Sequence, residues 1–146
     1  MTVLYADTSA VFRAYVRSEA DHAELRELLL ESVDPVTTSE LTRVEFASAV
    51  AAARRAGKLR ETQTLLDRFE VDCGVDGSIT MLELDNAVLP MARRLVTEHA
   101  VRTLGAIHLA VALNDATTLA AGQPVVLVTR DRAQAAAAKE LGLAVF

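Results

Sequence analysis

The chain has 146 residues, 51% hydrophobic and only 4% aromatic, with a formal net charge of −5. That length fits one domain over residues 1–146 with a core built from alanine, valine and leucine, and the charge argues against a nonspecific nucleic-acid coat, which needs a broad basic field. The lone Cys73 excludes an internal disulfide or a cysteine zinc cluster, no apolar run reaches the roughly 20 residues of a membrane span, and no leader-like pattern occupies residues 1–16, so a soluble cytoplasmic protein is expected.

In chain order, Val3-Leu4-Tyr5-Ala6 reads as a strand, and Thr8 or Ser9 as the cap of a helix running to about Arg17. Ser18 or Asp21 opens a second helix, closed by Pro35, with an amphipathic row of Ala23, Leu25, Leu28, Leu29 and Val33. Residues 36–38 form a short strand. Ser39 caps a long helix from Glu40 to Ala56, and Gly57 stops it. A helix near 60–72 follows, then a strand over 79–84. The next helix opens at Asp85 or Asn86, with a start that Pro90 pushes later, and runs to about His99. Thr103 caps an apolar helix through Leu113 or on to Ala121. Val125 to Val128 is a strand, Asp131 begins an alanine-rich helix ending at Gly142, and Leu143 to Phe146 is a terminal strand. Strands and helices alternate throughout, which indicates an α/β fold with a mostly parallel sheet.

Ligand sites in such sheets lie beyond the carboxyl ends of the strands. Two strands here end on acids, Asp7 and Asp131, and Glu45 lies inside the apolar segment Leu41–Ala47. Either aspartate can serve as a helix cap, and Thr8 and Ser9 are alternative caps that would leave Asp7 free. Glu45 is costly to bury without a partner, with a solvated glutamate as its plainer reading. Gathered carboxylates repel one another unless a cation is present, so the set points to a hard divalent metal and to phosphodiester hydrolysis. The histidines carry less. His22 reads as exposed, His99 as a helix-end residue, and His108 as a satisfied core residue; no spacing makes them a zinc triad.

Four segments in order resemble the PIN-domain nucleases, especially the VapC-type toxins of bacterial toxin–antitoxin pairs: Leu4-Tyr5-Ala6-Asp7-Thr8-Ser9, Ser39-Glu40-Leu41-Thr42-Arg43-Val44-Glu45, Arg102 to Ala110, and Val128-Thr129-Arg130-Asp131. The resemblance covers nearly the whole chain. It implies an α/β/α sandwich, cleavage of RNA dependent on Mg²⁺ or Mn²⁺, a cognate antitoxin partner, and a homodimer. It assigns catalysis and metal binding to Asp7, Glu45 and Asp131; the hydroxyls of Thr8, Ser9 and Thr129 can hydrogen-bond around them, Ser9 and Thr129 matching polar positions of the family motif. One piece departs. Gly105 stands where the family pattern has aspartate, and Asp115, ten helical residues on, lies about 15 Å away, too far to replace it. An impaired site is therefore expected. A natural loss and a deliberate inactivating substitution both account for the glycine; the otherwise intact motif leans to the second.

Two other classes compete. A degenerate module would bind its antitoxin and dimerise without cleaving RNA, and Leu25, Leu28, Leu29, Leu65, Leu66 and Phe69 would offer a groove for a partner helix. A phosphate-responsive receiver domain also gathers acids at strand ends, but it needs a lysine after a late strand, and none follows Val128 before Lys139.

Overall fold

A computed structural model describes all residues from Met1 to Phe146. Five strands, β1 (Val3–Ala6), β2 (Val36–Ser39), β3 (Ile79–Leu82), β4 (Val125–Val128) and β5 (Ala144–Val145), form one sheet in the order β3-β2-β1-β4-β5, every pair parallel. β1 is central and pairs with β4 in level register, Ala6 opposite Val128. It is fully buried, which is why its sequence runs apolar without alternation.

Helices cover both faces. On one face lie α1 (Thr8–Tyr15), α2 (His22–Arg26, continued by a wider π turn over Glu27–Glu31), α3 (Glu40–Arg55) and α4 (Thr62–Asp72). Leu4, Ala6 and Val128 point to this face and pack with Val11, Leu25, Leu29, Phe46, Val50 and Phe69. On the other lie α5 (Val88–Glu98), α6 (Thr103–Val111, continued by a π turn over Ala112–Ala116), the short α7 (Thr117–Ala120) and α8 (Arg132–Glu140). Tyr5 and Leu127 point there, against Val88, Leu95, Leu109, Val111 and Ala138. The period-2 alternation of a strand thus divides β1 and β4 between two cores.

Several boundaries differ from the sequence reading for identifiable reasons. Asp7 itself caps α1, its carboxylate accepting from the Ala10 N–H, so neither Thr8 nor Ser9 is the cap. The start of α5 does fall later than Asp85 or Asn86, as Pro90 led one to expect: the helix begins at Val88, with Pro90 in its first turn, where no intrahelical N–H is lost. Gly57 does end α3. With φ near +72°, it lets its own N–H reach Arg54 O and that of Lys58 reach Ala53 O, a left-handed cap that Gly142 repeats after α8. The six side chains offered as a partner groove are core instead: Leu25, Leu29 and Phe69 are buried, and Leu28, Leu65 and Leu66 pack against them.

Few aromatics are available, and four of them meet. Phe46 is fully buried with ring centroids 4.6 Å from Phe69, 5.5 Å from Tyr15 and 6.3 Å from Phe12. Truncating it leaves a cavity that short alanine neighbours cannot fill. Phe46→Ala should cost about 3–5 kcal/mol of unfolding free energy, read from a urea or thermal titration.

A second prediction comes from the π turn. Partial burial, then hydrogen bonding to the Asp85 carboxylate and its charge, push the Asp115 carboxyl up to about 6 from its ordinary 3.8. The folded state then holds the Asp115 proton more tightly than the unfolded chain does. This contribution is fully present below about pH 4 and is lost as pH rises towards 6. Asp115→Asn should flatten the fall in denaturant midpoint across that window relative to the unmodified chain; an unchanged slope would contradict the assignment.

Candidate functional site

The sheet order reverses at β1. From it the chain steps outward through β2 to β3, then crosses back to place β4 on the opposite side. The crevice between the ends of β1 and β4 is thus a topological switch point, where open α/β sheets bind ligands. Asp7 leaves β1 and Thr129 leaves β4 at this point, and the Asp7 N–H still donates to Val128 O at 3.1 Å.

Asp7 is 3% exposed and heavily bonded. Its Oδ1 accepts from the Ser9 hydroxyl at 2.7 Å and the Ala10 N–H at 3.0 Å, and its Oδ2 accepts from the Thr129 hydroxyl at 2.7 Å. Burial raises its carboxyl above the ordinary value, against the pull of the Ser9 and Thr129 hydroxyls, the His108 charge and the Ala10 N–H. Ser9 and Thr129 also hold the neighbouring loop, because Ser9 Oγ accepts from the Arg130 N–H and Thr129 Oγ1 from the Asp131 N–H.

Asp131 caps α8, its Oδ1 accepting from the Gln134 N–H at 3.0 Å. Its Oδ2 accepts no protein hydrogen bond. Neither capping nor site membership excludes the other, since each uses a different oxygen.

Glu45 is not a solvated helix-face residue. Its Oε1 lies 2.6 Å from His108 Nε2 and 2.7 Å from the Thr8 hydroxyl that donates to it. His108 is 3% exposed, and its Nδ1 lies 2.8 Å from the Tyr5 hydroxyl. Burial, then the Asp7 charge, push the Tyr5 phenol far up, so it stays protonated. The Glu45 carboxylate is an acceptor, so His108 Nε2 donates to it. Burial alone would raise the Glu45 carboxyl, but the His108 hydrogen bond and charge and the Thr8 hydroxyl outweigh it, and the net shift is downward.

Asp7, Thr8, Ser9, Glu45, Leu104, Gly105, His108, Asp131 and Gln134 line one cavity of about 140 Å³. The three acids named from the sequence thus share a cavity, with Thr129 just behind Asp7. They do not meet at a point: no three His, Cys, Asp or Glu side chains converge closely enough to hold one metal ion. The donors are all carboxylate oxygens, and Asp131 Oδ2 and Glu45 Oε2 carry no protein hydrogen bond, which is chemistry suited to a hard cation. Gly105 forms part of the wall. A Cβ placed there would sit 4.0 Å from Asp131 Oδ2, 3.4 Å from Gln134 Nε2 and 3.1 Å from Val101 Cγ2. Asp115 is not among the lining residues; its Oδ1 accepts from the Asn114 side chain at 3.0 Å.

Two polar lining residues, His108 and Gln134, escape sequence reasoning. His108 reads as core because it is buried, and nothing in a separation of 63 residues announces its bond to Glu45. Gln134 does leave a signal: Asp131-Arg132-Ala133-Gln134 has the spacing of a reciprocal helix cap. Arg130, adjacent to Asp131 in the chain, is already committed. It pairs with Asp21 and Glu24, donates to Thr129 O and Phe146 O, and lies 5.4 Å over the Phe146 ring. Elsewhere, no helix is long and apolar enough to cross a membrane.

Among solved structures, Mycobacterium tuberculosis VapC20, a Sarcin-Ricin loop cleaving toxin, superposes with a TM-score of 0.68 at 16% identity, over 92% of this chain and 94% of that one. VapBC2 from Rickettsia felis, bound to a DNA fragment from its promoter, gives 0.64 at 14%, over 99% and 97%. VapBC-1 from nontypeable Haemophilus influenzae gives 0.63 at 10%, over 100% and 97%. At such identities the likeness establishes the fold: an α/β architecture with an all-parallel five-stranded sheet, as in these VapC structures. No curated protein sequence matches. The PIN-domain family model, by contrast, matches residues 4–146, nearly the full length, and the chain therefore belongs to the PIN-domain family.

Proposed function

We propose that this chain is a metal-dependent endoribonuclease of the toxin type, a single domain over residues 1–146, whose site is impaired by Gly105. The observation that carries this reading is the shared cavity. Acids from the end of β1, the middle of α3 and the cap of α8 line it together, and the glycine lies on its wall within reach of Asp131. Asp7, Glu45 and Asp131 would hold Mg²⁺ or Mn²⁺, some of them through water. A bound divalent cation neutralises charge developing on the phosphate and acidifies a bound water.

The chain's own groups prepare the site. Ser9, Thr129 and the Ala10 N–H fix Asp7, so that its orientation does not depend on a ligand. Thr8 and His108 hold one oxygen of Glu45 and favour its charged form, leaving the other oxygen free. Tyr5 orients His108 from behind. Such supporting bonds commonly govern metal affinity as strongly as the ligands do.

The family of the chain and the antitoxin complexes among its structural neighbours support RNA as substrate and a cognate antitoxin as partner. A homodimer and a cytoplasmic setting complete the reading. A second reading, a module that binds the antitoxin and dimerises without chemistry, draws on the absence of any three converging acids. Capture of a small antitoxin, with no metal-dependent cleavage even after the fourth acid is restored, would favour it.

Gly105→Asp tests the leading reading directly. A new Cβ needs Val101 Cγ2, 3.1 Å away, to give by a few tenths of an ångström. The variant should stay folded and cleave RNA with Mn²⁺ or Mg²⁺ about ten- to a hundredfold faster than the unmodified chain. Adding Asp7→Asn to it should abolish the gain, as should chelation by EDTA. A pure, folded Gly105→Asp protein no more active than its parent would end the idea of a disarmed site.

A further inference from the structure

Gln134 is 1% exposed, yet it lines the acidic cavity, and its Oε1 has no hydrogen-bond partner. Buried polar atoms are nearly always satisfied, so an orphan oxygen on a side chain that lines the cavity needs an explanation.

The local sequence offers one occupation for this side chain, and the structure denies it. In a reciprocal cap the third helical residue reaches back to the N–H of the capping residue. Asp131 does cap the Gln134 N–H, but its own N–H donates to Thr129 Oγ1 at 3.0 Å. The Gln134 carboxamide is thereby released from the cap. Its Nε2 turns to Gly105 O at 3.3 Å instead, which places the amide 3.4 Å from where a Cβ at residue 105 would stand. The oxygen, on the other arm of the same planar group, is left over. The amide thus lies beside the position where the fourth acid's side chain would begin, near Asp131 Oδ2.

We propose that Gln134 is a fourth oxygen donor to the cation's shell, its Oε1 standing in for the carboxylate that Gly105 lacks. Amide oxygens are competent ligands for hard cations. A neutral oxygen also adds no charge to a wall that already carries three acids, so it tolerates the cation-free state better than a fourth carboxylate would. This inference rests on the cation-site reading above and goes beyond it by naming a ligand from this chain's own departure.

The test is Mn²⁺ binding, followed by calorimetry and by the electron paramagnetic resonance signal of free Mn²⁺, on the full chain. Gln134→Met keeps the bulk and removes the oxygen; it should weaken Mn²⁺ binding about tenfold or more. Gln134→Glu keeps an oxygen but loses the N–H donated to Gly105; it should bind Mn²⁺ more tightly than the unmodified chain. A role confined to tying α8 to α6 predicts the opposite pattern, with both variants weakened alike or binding unaltered in both, and either result overturns the proposal. If the methionine variant fails to fold, the glutamate variant decides alone, and weaker binding than the parent overturns it. If neither the unmodified chain nor Gly105→Asp binds Mn²⁺, the cation site itself fails. If both bind and Gln134→Met binds equally well, only the role of Gln134 fails.

Discussion

The in-register pairing of β1 with β4 governs everything at the site. It sets residues 122 positions apart side by side, so that the Thr129 hydroxyl reaches Asp7 at 2.7 Å. That bond sits at the one place where the sheet changes direction. A slip of one residue would exchange the two faces of β4, sending Leu127 and Val128 to the wrong cores and withdrawing Thr129 from Asp7. Apolar packing on both faces therefore fixes the register, and the register fixes the polar chemistry above it. The stability of the cores and the geometry of the cavity are one constraint seen at two heights.

Two polar systems stand on this base, and they differ in character. Around Asp7 the groups are short hydroxyls that also pin the Arg130 and Asp131 backbone, so the carboxylate and its loop move as a unit. Around Glu45 the support is a relay from Tyr5 through His108, long side chains that meet in the interior. The first shift is upward because burial dominates, the second downward because a histidine compensates for it. Two carboxylates on one wall thus have unlike tendencies to hold a proton. Such divergence is common where acids serve chemistry, though structural networks produce it as well.

Much of this was legible in the sequence, for reasons that can be named. Strands buried on both faces write themselves as unbroken apolar runs, so Val3–Ala6 and Val125–Val128 were readable, and the acids at their ends followed. Helix stops such as Gly57 carry their own backbone signature. The losses have physical causes too. Capping is a competition, and Asp7 outcompeted Thr8 and Ser9 because its carboxylate already faced the Ala10 N–H. The amphipathic rows of α2 and α4 looked like an open groove because periodicity marks which face is apolar, not what covers it; here the sheet and α1 do. The bond between His108 and Glu45 left no trace at all, since side chains that meet only through tertiary folding leave no local pattern.

Arg130 shows how a formal charge can be misleading. Two acidic partners, two backbone carbonyls and an aromatic ring already occupy its guanidinium. A polyanion arriving at the cavity would have to compete with all of them, so this arginine releases few counterions on binding. The salt sensitivity of any nucleic-acid complex would then be shallower than a tally of nearby basic residues suggests. Long-range attraction would fall instead to arginines without such ties, and Arg130 would spend its charge on keeping the rim of the cavity in shape.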